Sequence, residues 1–335
     1  MRIPSFIALA ILAFGSFVAQ AQVPLKIITT DQAGGGMDAL IRPVAEKLSV
    51  ALGRPVLVDN KPGAQGRIGG QAVVSSPPDG NTVLITVQAG IVINPHVYPW
   101  PYNSLADLLP VSDLGRGSLV LLAPANTPAA NIKELAAWIK AQPKGKVNYG
   151  TYSPGTISHF GGQLLAQELG TDMTPVHYKA SGDQVKDLVG GVVSLGWGPA
   201  AGSVTQLIKA GRLKAYAYMG PKRLPALPDV PTVSETLPGF DATGWFGVFA
   251  PKGTSVAVAD RLAREMAAVL ADPAVRQRIE EIGGQPIGLN GDQLRALVMQ
   301  ESARWKRVCA TVTRSRAISI CPATTHASAR SVGDA

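Results

Sequence analysis

Cysteine is nearly missing: the 335 residues hold two, Cys309 and Cys321, both beyond the last stretch with a convincing helical pattern. The body of the chain therefore has neither a disulfide framework nor a thiolate centre. A Cys309–Cys321 bridge is one option in an oxidising compartment, and two incidental thiols are the other. Long apolar runs are equally scarce. The one run of note, residues 6–18, falls short of the ~20 residues that a bilayer span requires. It follows a single Arg2 and precedes Ala19-Gln20-Ala21, the layout of a secretory signal peptide. Residues 1–21 are thus expected to be cleaved near Ala21. With no cysteine nearby to accept a lipid, the mature chain is expected free in the periplasm.

Dense charge of one sign is also lacking. The formal net charge is +8, but Arg2 and a net +2 in residues 309–335 leave +5 scattered over residues 22–308. Such an excess favours anionic solutes. No Lys/Arg stripe interleaved with aromatics points to nucleic acid. His159 and His177 have no carboxylate or cysteine at ligand spacing, so they read as structural, and neither a metal nor a cofactor is expected.

What is present is an alternation. Strands are predicted at 25–30, 55–59, 82–87, 147–150, 174–177, 192–196, 213–218 and 244–250. Helices are predicted at 38–52, 67–76, 156–169, 183–189, 201–210, 256–270, 273–282 and 292–308. The helix at 38–52 gathers Leu40, Ile41, Val44, Ala45, Leu48 and Leu52 on one face, with Pro43 as a local conflict. This rhythm predicts an α/β fold with parallel sheets covered on both faces. Proline-bearing segments at 123–129 and 224–232 flank the central third and suggest two lobes with a ligand cleft between them. The expected division is 22–122 with 247–308 for one lobe and 123–246 for the other, hinged near 122–126 and 243–247. Residues 309–335 lack apolar periodicity and are expected to be a disordered tail.

Two loops carry the chemistry. In "ITTDQAGGGMDAL" a strand runs into Gly34, Gly35 and Gly36 and then into a helix. Glycines let backbone N–H groups converge, and the helix N-terminus favours an anion. Gly34-x-Gly36-x-x-Ala39, with Asp59 lying 23 residues after Gly36, approaches a dinucleotide fingerprint. However, Asp38 sits where a pyrophosphate would, and an exported protein meets little NAD. Asp38 itself reads as a helix cap or as part of the site. In "NYGTYSPGTISHFGG" Ser153 lies between strand and helix, where a hydrolase nucleophile would be. Yet Thr151 replaces the glycine of a nucleophile elbow, and His159 is only six residues on. The hydroxyls of Ser153, Thr156 and Ser158 serve as helix caps, as donors to a carboxylate, or as both. With one loop per lobe, four to six good donors at roughly 1.5–3 kcal/mol each reach the ~8 kcal/mol net of micromolar binding, association costs included.

The combination of "AGGGMDAL", "LGRPVLVDNKPGAQGRIGGQAV", "PPDGNTVL", "INPHVYP", "GTISH", "VHYKASGDQVKDLVGGVV", "AGRLKAYAY", "LPDVPTVSE" and "WFGVFAPKGT" resembles the Bug-type extracytoplasmic solute receptors of tripartite tricarboxylate transporters. The resemblance implies a two-lobed, type II periplasmic-binding fold, no enzymatic activity, a small carboxylate ligand and membrane permease subunits as partners; the chain is expected to be a monomer. It further implies ligand contacts from Ala33, Gly34, Gly35, Gly36 and Asp38 and from Tyr152, Ser153, Gly155, Thr156, Ser158 and His159. The chain departs from the pattern at Asp31-Gln32, where relatives carry an aromatic and a proline, and at Trp197-Gly198-Pro199, where they carry Phe-Asp-Asn. Asp31 in the cleft would repel a second carboxylate and attract an amine or hydroxyl, or it caps the loop. Trp197 is a wall over the ligand or lobe packing. The tail departs too, reading as an appended or frame-shifted segment. An exported serine hydrolase using Ser153 and a sensor for a signalling receptor stand as alternatives.

Overall fold

The computed structural model describes residues 22–314 apart from 118, 153, 154, 179, 180, 201, 221, 238–242 and 282. The expected leader at 1–21, Ser153, Cys321 and residues 315–335 lie outside the described residues.

The chain begins as expected. In β1 (Leu25–Thr29) Leu25, Ile27 and Ile28 are buried; the apolar face of α1 (Gly36–Leu52) packs over Leu25 and Ile27 through Leu40, Ile41, Val44 and Leu48, while Ile28 joins a separate cluster with Val73 and Leu84. Pro43 lies inside α1 without ending it, and Gly53 in the left-handed region (φ 64°) stops it. Next come β2 (Val56–Asn60), α2 (Arg67–Val74) and β3 (Thr82–Val87), with β1 parallel to both of its neighbours. A wide π-type turn, Ala89–Ile93, follows, and then β4 (Leu108–Gly117).

After β4 the chain changes sheets. The second sheet is built by β5 (Leu119–Pro124), α3 (Ile132–Ala141), β6 (Asn148–Thr151), α4 (Ile157–Leu169), β7 (Thr174–His177) and α5 (Ser181–Val189). It continues with β8 (Leu195–Pro199), α6 (Gly202–Lys209), β9 (Leu213–Tyr218) and α7 (Val233–Thr236). The chain then returns as β10 (Trp245–Pro251), α8 (Val256–Ala271), α9 (Pro273–Glu281), β11 (Gly284–Gln285) and α10 (Gly291–Arg314). The strand orders are β11-β4-β10-β3-β1-β2 and β7-β6-β8-β5-β9.

Three expectations are corrected. The sheets are mixed, not parallel: β10 runs antiparallel to β3 and β4, and β5 runs antiparallel to β8 and β9. The outward crossing lies between Gly117 and Leu119, ahead of the expected boundary at 122/123. Fully buried Leu119–Pro124 belongs to the second sheet, and Pro124 marks the end of that strand rather than the change of lobe. The third correction concerns the tail. α10 runs on to Arg314, and Cys309 is buried beside Trp305, where burial pushes its thiol up to about 12. The Trp305–Val308–Cys309 spacing continues a helical face that the bias toward Ser, Thr and Ala further on had obscured.

The lobes also share a core. Phe160 of α4 is 0% exposed and lies among residues of the first lobe, with its ring 5.6 Å from Trp305 of α10 at 66°. A second link is the Tyr218 hydroxyl, which donates to the Gly283 carbonyl at 2.8 Å.

Candidate functional site

A cavity of about 360 Å³ opens between the sheets. The first lobe supplies Thr30, Asp31 and Met37 after β1, Val87, Gln88 and Ala89 after β3, and Gly244, Trp245 and Phe246 at the returning strand. The second supplies Leu119, Tyr152, Thr156 and Ile157.

On the first-lobe side the glycine loop is closed upon itself. Asp31 Oδ2 accepts from the amides of Met37 (2.9 Å) and Asp38 (3.2 Å), and Oδ1 accepts from Gln32 N at 3.0 Å. The Asp31 carboxylate thus takes the place at the start of α1 that a bound anion would fill. A side chain at Gly35 would put its Cβ 2.3 Å from Asp31 Oδ2, so glycine is needed for this approach. The Gly34 amide donates to Asp38 Oδ2 at 2.8 Å and the Gly35 amide to the Gln32 carbonyl at 3.0 Å. Of the first-lobe residues expected to bind, Asp31 lines the cavity. Gln32, Ala33 and Gly34 are exposed, Gly35 is taken up by the loop's own contacts, and Gly36 begins α1.

Asp38 is 2% exposed and organises the loop rather than reaching the cavity. Burial pushes its carboxyl up, but bonds from Arg42 Nε (2.8 Å), Asn60 Nδ2 (2.8 Å) and the Gly34 amide outweigh burial and hold it at about 2. Its stabilising effect is complete above about pH 4 and fades as pH falls through about 2. Asp38→Ala leaves the Gly34 amide without its acceptor and takes one of two acceptors from the Asn60 side-chain amide, which keeps the Asp31 carbonyl at 3.2 Å. Urea melts at neutral pH should show a loss of about 2 kcal/mol.

The second-lobe loop is scaffolded by hydroxyls. Ser158 Oγ is within 2.9 Å of both Thr151 Oγ1 and Thr156 Oγ1 and accepts from the Tyr152 amide at 3.2 Å. Ser158 is fully buried, so it shapes the loop while Thr156 and Tyr152 face the cavity. Thr156 precedes α4 without a side-chain capping bond to its first turn. The Tyr152 hydroxyl is buried with no hydrogen-bond partner among the described residues, and burial pushes it well above its usual value, so it stays a proton donor. Gly155 (φ 79°) donates its amide to His159 Nδ1 at 3.3 Å. A Cβ there would stand 2.7 Å from Asn94 Oδ1 of the first lobe, so the two lobes press together at this loop. His159 is 2% exposed, and burial, then His177 with its ring 5.0 Å away, holds its pKa down to about 4.

Trp197 is not in the wall. It is 1% exposed in the core of the second lobe, seated against Gly161 of α4, whose missing side chain makes the room. Conversely, Gln88 escaped the sequence reading. It is 1% exposed, lines the cavity, donates through Nε2 to Glu301 Oε2 and leaves Oε1 without a partner among the described residues. Trp245 Nε1 donates to the same Glu301 oxygen at 2.9 Å. The carboxylate on α10 therefore fixes both side chains and orients the Gln88 amide nitrogen toward itself. No local sequence signal marked Gln88; in the structure it stands at the start of the π-type turn after β3, a conformation frequent at functional sites.

Among the described residues no group of three His, Cys, Asp or Glu side chains is placed to hold a metal, and no helix is long and apolar enough to cross a membrane.

A sequence profile described as the tripartite tricarboxylate transporter family receptor matches residues 40–313. BugT of Bordetella pertussis is 34% identical over 291 residues, covering 85% of this chain and 88% of that protein. Among solved structures, the periplasmic binding protein BugD superposes with a TM-score of 0.72 at 32% identity, covering 87% of this chain and 97% of that one. MatC from Rhodopseudomonas palustris with bound malate superposes with a TM-score of 0.73 at 27% identity, covering 86% and 99%.

Proposed function

Since the chain belongs to the tripartite tricarboxylate transporter receptor family, we propose that it is a periplasmic receptor that closes on a small organic carboxylate and presents it to a membrane permease. The observation that carries this reading is the cavity itself, walled by both lobes and floored on one side by the start of α4 and by Tyr152. A helix start contributes about 0.3–1 kcal/mol toward holding an anion, rising to about 2 when partly buried. A hydrogen bond to the carboxylate adds roughly 1.5–3 kcal/mol. The cavity volume lies within the range of small-ligand sites. The malate in MatC supports a carboxylate guest.

In this reading the protein performs no chemistry. Ligand bridges the lobes, the closed form becomes the populated one, and the permease recognises that shape. The chain acts as a monomer, exported through the leader at 1–21. Calorimetry of the mature chain against mono-, di- and tricarboxylates, amino acids and aromatic acids should give a Kd in the micromolar range or below for at least one. No heat from any of them would refute the receptor reading.

A further inference from the structure

The two walls of the cavity are chemically unlike. The second-lobe wall donates: the Tyr152 hydroxyl has no partner among the described residues, and α4 begins beside it. The first-lobe wall accepts. Asp31 lies along it, and the matching helix start of α1 is already filled by that carboxylate. Gln88 adds an independent acceptor, because Glu301 takes its amide nitrogen and leaves the buried Oε1 unpaired. Turning the amide over would set two oxygens against each other, so the orientation is fixed by the charge of Glu301. A buried acceptor left unpaired is destabilising, and the group that relieves it must bring N–H or O–H.

A dicarboxylate would put its second anion beside Asp31, in a place whose amides are already taken, and like charges that close in a sheltered site repel. An ammonium would meet two acceptor-bearing residues, Asp31 and Gln88, on the same first-lobe wall. Resting on the receptor reading above, we infer that the ligand is a zwitterion, its carboxylate against Tyr152 and the start of α4 and its ammonium against Asp31 and Gln88.

The test compares short ω-amino acids such as γ-aminobutyrate, together with α-amino acids, against the dicarboxylates and monocarboxylates of equal chain length. Calorimetry on the mature chain should show an amino acid binding at least about tenfold tighter than its dicarboxylate counterpart. Asp31→Asn keeps an oxygen to cap α1, and circular dichroism melts check that it folds. It should weaken the amino acid by about tenfold or more and erase the preference. A dicarboxylate that binds the unaltered protein more tightly, or a preference that survives Asp31→Asn, overturns the inference while leaving the receptor reading intact. Failure of every compound to bind overturns both.

Discussion

Phe160→Ala should lower the unfolding free energy by about 3–5 kcal/mol, the range for removing a fully buried aromatic ring. The size of the effect follows from where the ring sits. Phe160 is carried by a second-lobe helix but is 0% exposed among first-lobe residues, edge-on to Trp305 at 5.6 Å. Its loss removes both a ring's burial and an aromatic pair worth about 0.5–1.5 kcal/mol beyond area. Because the contact links two sheets, its removal should also separate their unfolding. A single transition in calorimetric scans of the intact protein should broaden or split in the variant. A loss below about 1 kcal/mol in urea melts would show that the lobes do not share this core in solution.

Acidification from pH 6.5 to 4 should remove about 3 kcal/mol of stability through His159 alone. Burial and the neighbouring His177 keep the folded ring neutral down to about pH 4, whereas the unfolded ring takes up a proton near pH 6.5. Between those values the unfolded chain binds more protons, so stability is complete above about pH 6.5 and drains away as pH falls toward 4. His177, also lowered by burial, acts in the same direction. Function should decline with stability, because Nδ1 of the neutral ring accepts the Gly155 amide and a protonated ring has no acceptor to offer. Melting temperatures at pH 7.5, 6, 5 and 4 test this, with His159→Gln as the control whose profile flattens. An unaltered protein with equal melting temperatures at pH 7.5 and 5 would disprove it.

How far the fold was legible depended on whether a segment's fate was decided locally. The face of α1 and the buried run of β1 read directly from residue spacing, because both bury one side against a neighbour close in sequence. The stretch from Gln88 to Lys146 yielded no element, although it contains β4, β5 and α3. Leu119–Pro124 is buried on both faces, so it shows no alternation, and its antiparallel pairing with β8 and β9 is set by strands far along the chain. The site divided in the same way. Glycines beside a strand end marked the two loops, and Asp31 stood open as cleft residue or loop cap; it is both, bonded to amides six and seven residues later and lining the cavity. The pairing of Gln88 with Glu301 spans 213 residues. For Trp197, the deciding neighbour was the absent side chain of Gly161, on a helix that residue spacing alone does not align with β8.

The placement of β10 sets an order of assembly. In the first sheet β10 lies between β3 and β4, with Phe246 opposite Val87, so the whole second lobe intervenes in the chain between these partners. Residues 25–117 therefore lack their central strand until the later segment arrives, and closing so long a loop is entropically slow. The second lobe is one contiguous stretch and needs no such return. A chain emerging amino-terminus first through a membrane pore thus completes its middle before its beginning. Its leading third stays unclosed and threadable until the last strands have come through.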